Sequence, residues 1–139
     1  MMLRLLVFSS IAGLLVGCET ESRGTQDPPP APITPIAMTP AISAAAKAGV
    51  SKRLKDPFTA VFSTMLAGQR VFQGQNQIVV CGLVNSKNGF GAYGGDQPFQ
   101  GIMLAPAGPF QVIAMGEDSP NAAALVAGSC RLSGLPLSQ

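Results

Sequence analysis

Apolar positions along the chain follow three different rhythms, and each predicts a different kind of segment. Ile42, Ala46, Val50 and Leu54 recur every four residues, which places them on one face of a helix. Thr39-Pro40 marks its start, a hydroxyl N-cap followed by proline at the first helical position, and Asp56-Pro57 marks its end. Farther on, the rhythm changes to short apolar runs separated by turn residues. An apolar stretch near Val61–Leu66 comes first, then Arg70–Gln73 and Gln77–Val84 flanking Gly74-Gln75-Asn76, which predicts a hairpin. Gln97–Ala105 and Pro109–Gly116 flank Pro106-Ala107-Gly108, a second predicted hairpin. Pro98-Phe99-Gln100 and Pro109-Phe110-Gln111 repeat, but two copies are too few for a solenoid. Ser119-Pro120 opens a last helix through Asn121–Ala127, with Glu117 and Asp118 at its positive end and Gly128 closing it. The expectation is an α+β domain over residues 40–139: an N-terminal helix, a small antiparallel sheet of about four to five strands, and a short C-terminal helix. Phe58, Phe62, Phe72, Phe90, Phe99 and Phe110 are its expected large core anchors.

The third rhythm is an unbroken apolar run near the start. Arg4 precedes Leu5–Val16, in which only Ser9 and Ser10 are polar, the layout of a secretory signal. At about 1.5 Å per residue the run covers roughly 18 Å, against about 30 Å of hydrocarbon in a bilayer, so it is too short to span. It ends in Leu15-Val16-Gly17-Cys18, which resembles the lipobox of bacterial lipoproteins. That resemblance implies a signal peptide over residues 1–17 and cleavage after Gly17. Cys18 would then carry a diacylglyceryl group on sulfur and an acyl chain such as palmitate on its new amino group. Membrane lipid is thus an implied partner through Cys18, and two or more chains make such attachment stable where one does not. Glu19 stands where Asp would favour retention at the inner membrane. The resemblance therefore points to the outer membrane, with the domain facing the periplasm or the cell surface. Residues 18–39 carry Pro28, Pro29, Pro30, Pro32 and Pro35 and read as a disordered tether, extended at about 3.1 Å per residue.

Composition then removes whole classes of chemistry. Lys and Arg number 9 against 7 acids, a net +2 with no basic face, which excludes electrostatically driven nucleic-acid binding. There is no histidine, so imidazole serves neither as acid, base nor metal ligand. Once lipidation consumes Cys18, Cys81 and Cys130 remain, and an even pair in an oxidising compartment implies a disulfide. Its loop of about 50 residues is worth roughly 4 kcal/mol on the chain-entropy account. The two cysteines do not form C-x-x-C and have no third ligand nearby, which argues against a redox or zinc pair. The expectation is no metal and no cofactor.

Gly89-Phe90-Gly91-Ala92-Tyr93-Gly94 matches G-x-G-x-x-G by letter, but that pattern binds dinucleotides only where it opens a helix after a strand. Here Gly95-Asp96 and Pro98 follow with no helical rhythm, so it is read as a loop. Leu54-Lys55-Asp56-Pro57 with Thr59-Ala60 and Phe62, then Val80-Cys81-Gly82, Val84-Asn85, Lys87-Asn88, Phe90-Gly91, Tyr93-Gly94-Gly95 and Phe99, resembles a recurring family of small proteobacterial exported proteins. The resemblance spans under half the chain and implies an envelope domain without a mechanism. Asn85, Lys87, Asn88, Tyr93 and Asp96 are the candidate polar binding surface, weighed against a glycine-rich loop that merely turns the chain. Asp96 has no evident acid–base partner, and no catalytic residue is expected. The chain reads as a lipid-anchored envelope protein with a structural or interaction role toward an envelope protein. The alternative is an inhibitor-like module whose Asn85–Asp96 loop blocks an envelope hydrolase.

Overall fold

Ile78, Val80 and Val84 alternate with Val79, Cys81 and Leu83, and all six are buried. Side chains of a strand point alternately to opposite faces, so a strand buried on both sides lies at the centre of a covered sheet. In the computed structural model, which describes residues 31–138, this segment belongs to the middle strand of five. The sheet is an antiparallel meander of β1 (Thr34–Ile36), β2 (Val61–Phe72), β3 (Gln75–Asn85), β4 (Gln97–Met103) and β5 (Gln111–Met115), each paired with the next. Helix α1 (Pro40–Ser51) packs Ile42, Ala46 and Val50 on one face against Val80, Val84, Phe99 and Met103. Helix α2 (Ala122–Leu132) packs Val126 and Cys130 on the other face against Val79 and Cys81.

This arrangement corrects the expected order of leading helix, small sheet and short final helix. β1 precedes α1, so the helix is not N-terminal, and the sheet is the dominant element. The physical reason lies in Thr34-Pro35-Ile36, read as spacer because of its proline. Pro35 sits on an edge strand, where a missing N–H costs no ladder bond, and Ile36 packs against the α1-side core. The tether boundary at residue 39 therefore moves toward the N-terminus. The signal peptide, the lipobox and Cys18 lie outside the described residues.

Three boundaries shift for identifiable reasons. The first hairpin turns at Gln73-Gly74, with φ of 51° and 75°, rather than at Gly74-Gln75-Asn76, and Phe72 pairs with Gln75. Two central residues at positive φ match the right-handed twist of the flanking strands. β2 is one long strand rather than two short runs. Its alternation is broken by a bulge that sets Ser63 and Thr64 opposite Leu83 and so turns both Phe62 and Met65 toward α1. α2 runs past Gly128 to Leu132 and stops at Gly134, whose φ is 74°. There Gly134 N–H donates to Arg131 O at 3.0 Å and Leu135 N–H to Cys130 O at 2.9 Å, the paired bonds of a Schellman end. Leu135 closes the motif by burying itself beside Cys130.

Cys130 is disulfide-bonded to Cys81, with 6.0 Å between their Cα atoms. The bridge ties the centre of the sheet to the last turn of the final helix. Phe99 occupies the middle of the opposite core, with Phe62 and Phe110 edge-on at 6.1 and 6.4 Å. Gly82 leaves room for it, since a Cβ there would lie 2.5 Å from Phe99 Cζ.

Candidate functional site

Of the six phenylalanines expected in the core, only Phe99 is fully buried, while Phe58 and Phe90 are 99% and 98% exposed. Both are carried at one end of the sheet, where α1 finishes, β2 begins and β3 passes into β4. Phe58 sits in a single 3₁₀ turn, Pro57–Thr59, and Phe90 between two glycines in the β3–β4 loop. An isolated large apolar residue on a surface is ordinary, but here two at nearly full exposure stand on loops of the same end of the sheet.

The two loops are joined through Thr59. Its Oγ1 accepts from Lys87 N–H at 3.0 Å, and its carbonyl accepts from the Tyr93 hydroxyl at 3.3 Å. Lys87 and Tyr93 also face each other in an isolated antiparallel bridge, with the Lys87 ammonium 5.7 Å from the Tyr93 ring centre. Within that bridge, Asn88 organises the tip. Its Oδ1 accepts from Phe90 N–H at 2.9 Å and Ala92 N–H at 3.2 Å, and its own N–H donates to Ala92 O at 2.8 Å. Asn is suited to this work because its short amide reaches the backbone two residues on. The loop is thus held by its own hydrogen bonds while its phenyl ring projects into solvent.

The five residues singled out from sequence separate into different roles. Lys87 and Asn88 build the loop and line a recess of about 400 Å³, together with Lys55, Gly94, Gly95 and Glu117. Tyr93 braces the loop against Thr59 rather than lining that recess. Asp96 accepts from Ser63 Oγ at 3.4 Å, across the β2 bulge. Asn85 is partly buried, and its Oδ1 has no hydrogen-bond partner among the described residues. Glu117 and Asp118 were expected to serve the N-terminus of α2. Asp118 instead accepts from Met115 N–H and pairs with Arg53, both at 2.8 Å, locking the β5–α2 turn to the end of α1.

Compared with protein-family models, curated proteins and solved structures, the chain matches none. The site rests on its own geometry. Phe58, Phe90 and Thr59 are the residues that sequence reasoning misplaced or passed over. One signal was present: Phe90 stands between two glycines with no alternation partner, so no strand or helix period assigns it to a core.

Proposed function

We propose that this chain is a non-catalytic interaction domain of a lipid-anchored envelope protein, and that it presents the Phe58–Phe90 end of its sheet to a protein partner. The observation that carries the reading is the exposure of these two phenylalanines on loops fixed by Thr59 and Asn88. A rigid aromatic anchor loses little conformational freedom on binding, which is why such residues dominate protein interfaces. The direction of chain entry supports the same reading. Thr34 pairs with Gln69 and Ile36 with Ala67, so the chain enters at the Gln73-Gly74 end. From Gln69 to Val61 is roughly 26 Å along a strand at about 3.3 Å per residue. An acyl anchor on Cys18 would therefore join the domain at the end opposite Phe58 and Phe90, through a tether long enough to leave the aromatic end free for a partner. No helix among the described residues is long and apolar enough to cross a membrane.

Two measurements test this proposal separately. Cys18→Ser is expected to move the protein from the membrane to the soluble fraction and to stop palmitate labelling; labelling that persists removes the anchor. Photo-crosslinking residues placed at Phe58 and Phe90 in intact cells are expected to give a discrete protein adduct that the same probe at Gln73 does not. Equal or absent adducts at all three positions remove the docking end.

A further inference from the structure

At the opposite end, on the α2 face, the sheet is left partly uncovered. α2 crosses the sheet beside a groove of about 620 Å³ whose floor includes Val79 and Ile102 and whose rim includes Ile113, Leu125 and Leu132. Leu125 and Leu132 are 70% and 89% exposed, so the helix turns leucines toward a space that no described residue fills. Ile113 is delivered there by a second bulge: Gln100 pairs with Ala114 and Gly101 with Val112, leaving Ile113 as the extra residue. The volume lies in the range of about 300–1,000 Å³ typical of small-molecule sites, as does an apolar lining with few polar groups.

One of those polar groups is a cation. Arg70 lines the groove, and its Nε donates to Gln77 Oε1 at 3.0 Å while the guanidinium lies 5.0 Å from the Phe72 ring centre. These contacts fix the plane of the fork and leave its terminal nitrogens without a hydrogen bond or ion pair to any described residue. Ser129 and Gln100, also at the groove, satisfy each other at 2.9 Å. Among the described residues no carboxylate lines it. An apolar trough with one oriented guanidinium whose terminal nitrogens no described residue engages is complementary to an apolar chain bearing an anionic head.

We propose that this groove binds a single acyl chain with an anionic head, the chain along Val79, Ile102, Leu125 and Leu132 and the head on Arg70. Described residues begin at Ala31, which itself lines the groove. If Cys18 is anchored as proposed above, the tether joins the domain beside the groove and keeps it within reach of the bilayer, where such amphiphiles are supplied. The ligand class itself rests on the groove alone.

The test is fluorescence titration of the full chain carrying Cys18→Ser, which holds no acyl group of its own, with cis-parinaric acid and with the corresponding alcohol. Saturable binding of one acid per chain is expected, with the acid roughly tenfold tighter than the alcohol, the scale of one charge-assisted hydrogen-bond pair. Arg70→Gln should erase that preference by weakening the acid, Arg70→Lys should keep part of it, and Leu132→Asp should weaken both ligands. Circular dichroism melts of the variants separate loss of the site from loss of the fold. Equal affinity for acid and alcohol, or binding indifferent to Leu132→Asp, overturns the proposal. So does a dimer that Leu132→Asp dissociates, which assigns the groove to a second copy. Binding that appears only after removal of residues 19–30 overturns it as well, because those residues are then the occupant.

Discussion

Phe99 and Phe90 are the same side chain in opposite surroundings, one sealed between Phe62 and Phe110 and the other almost wholly in water. Their truncation should therefore differ sharply. Phe99→Ala is expected to cost about 3–5 kcal/mol, read as a lowered urea midpoint with unchanged slope. Phe58→Ala and Phe90→Ala are expected to stay within about 0.5 kcal/mol of wild type while reducing partner capture. Gly82→Ala forces a methyl against Phe99 and should cost about 1–3 kcal/mol in the same assay. Asn88→Ala deletes the acceptor that holds the Phe90 loop. Hydrogen exchange at the Phe90 and Ala92 amides should accelerate, with exchange in β3 unaltered; protection that persists shows the loop is held some other way.

Among elements, the ones written in a single local rule were legible. Thr39 Oγ1 accepts from Ile42 N–H at 3.3 Å, as its place before Pro40 implies, and the apolar run of β3 reads directly as a buried strand. Features set by two strands at once were not. The bulges at Ser63-Thr64 and at Ile113 exist only in relation to a partner strand, and they break the alternation that would reveal them. β1 was hidden by Pro35, whose cost depends on whether the strand lies at an edge. The close of α2 was misread because Gly128 comes first, although a glycine followed by a buried leucine, Gly134-Leu135, is the pattern a helix end requires. Gly134→Ala, at positive φ, should cost about 1 kcal/mol, whereas Gly128→Ala, with open space around its Cβ, should stabilise the helix by a similar amount. Paired thermal melts check the sign of each. The candidate site was legible in its polar half, Lys87 and Asn88. Its aromatic half was not, because hydrophobicity alone does not say which phenylalanines a small core has room for.

For the whole molecule, both edges of the sheet resist further pairing. β1 has 3 residues including Pro35, and β5 has 5 with a bulge in the middle. Edge-to-edge assembly is disfavoured, and light scattering of Cys18→Ser protein should report a monomer. The Cys81–Cys130 bridge ties α2 to the central strand on the face away from α1. Replacing both cysteines with alanine should lower unfolding free energy by about 4 kcal/mol, and reductant should have the same effect on wild type but none on the double variant.

That bridge also decides what happens when a protease reaches a loop beyond β3. The Phe90 loop and the β4–β5 turn both lie between the two joined cysteines in chain order. A cut at either place severs the backbone without releasing a fragment, so the clipped molecule travels as one band until a thiol is added and then parts into two. The Phe90 loop can in this way be cut without parting the two halves, whereas a cut at Phe58, which precedes Cys81, has no covalent tie across it.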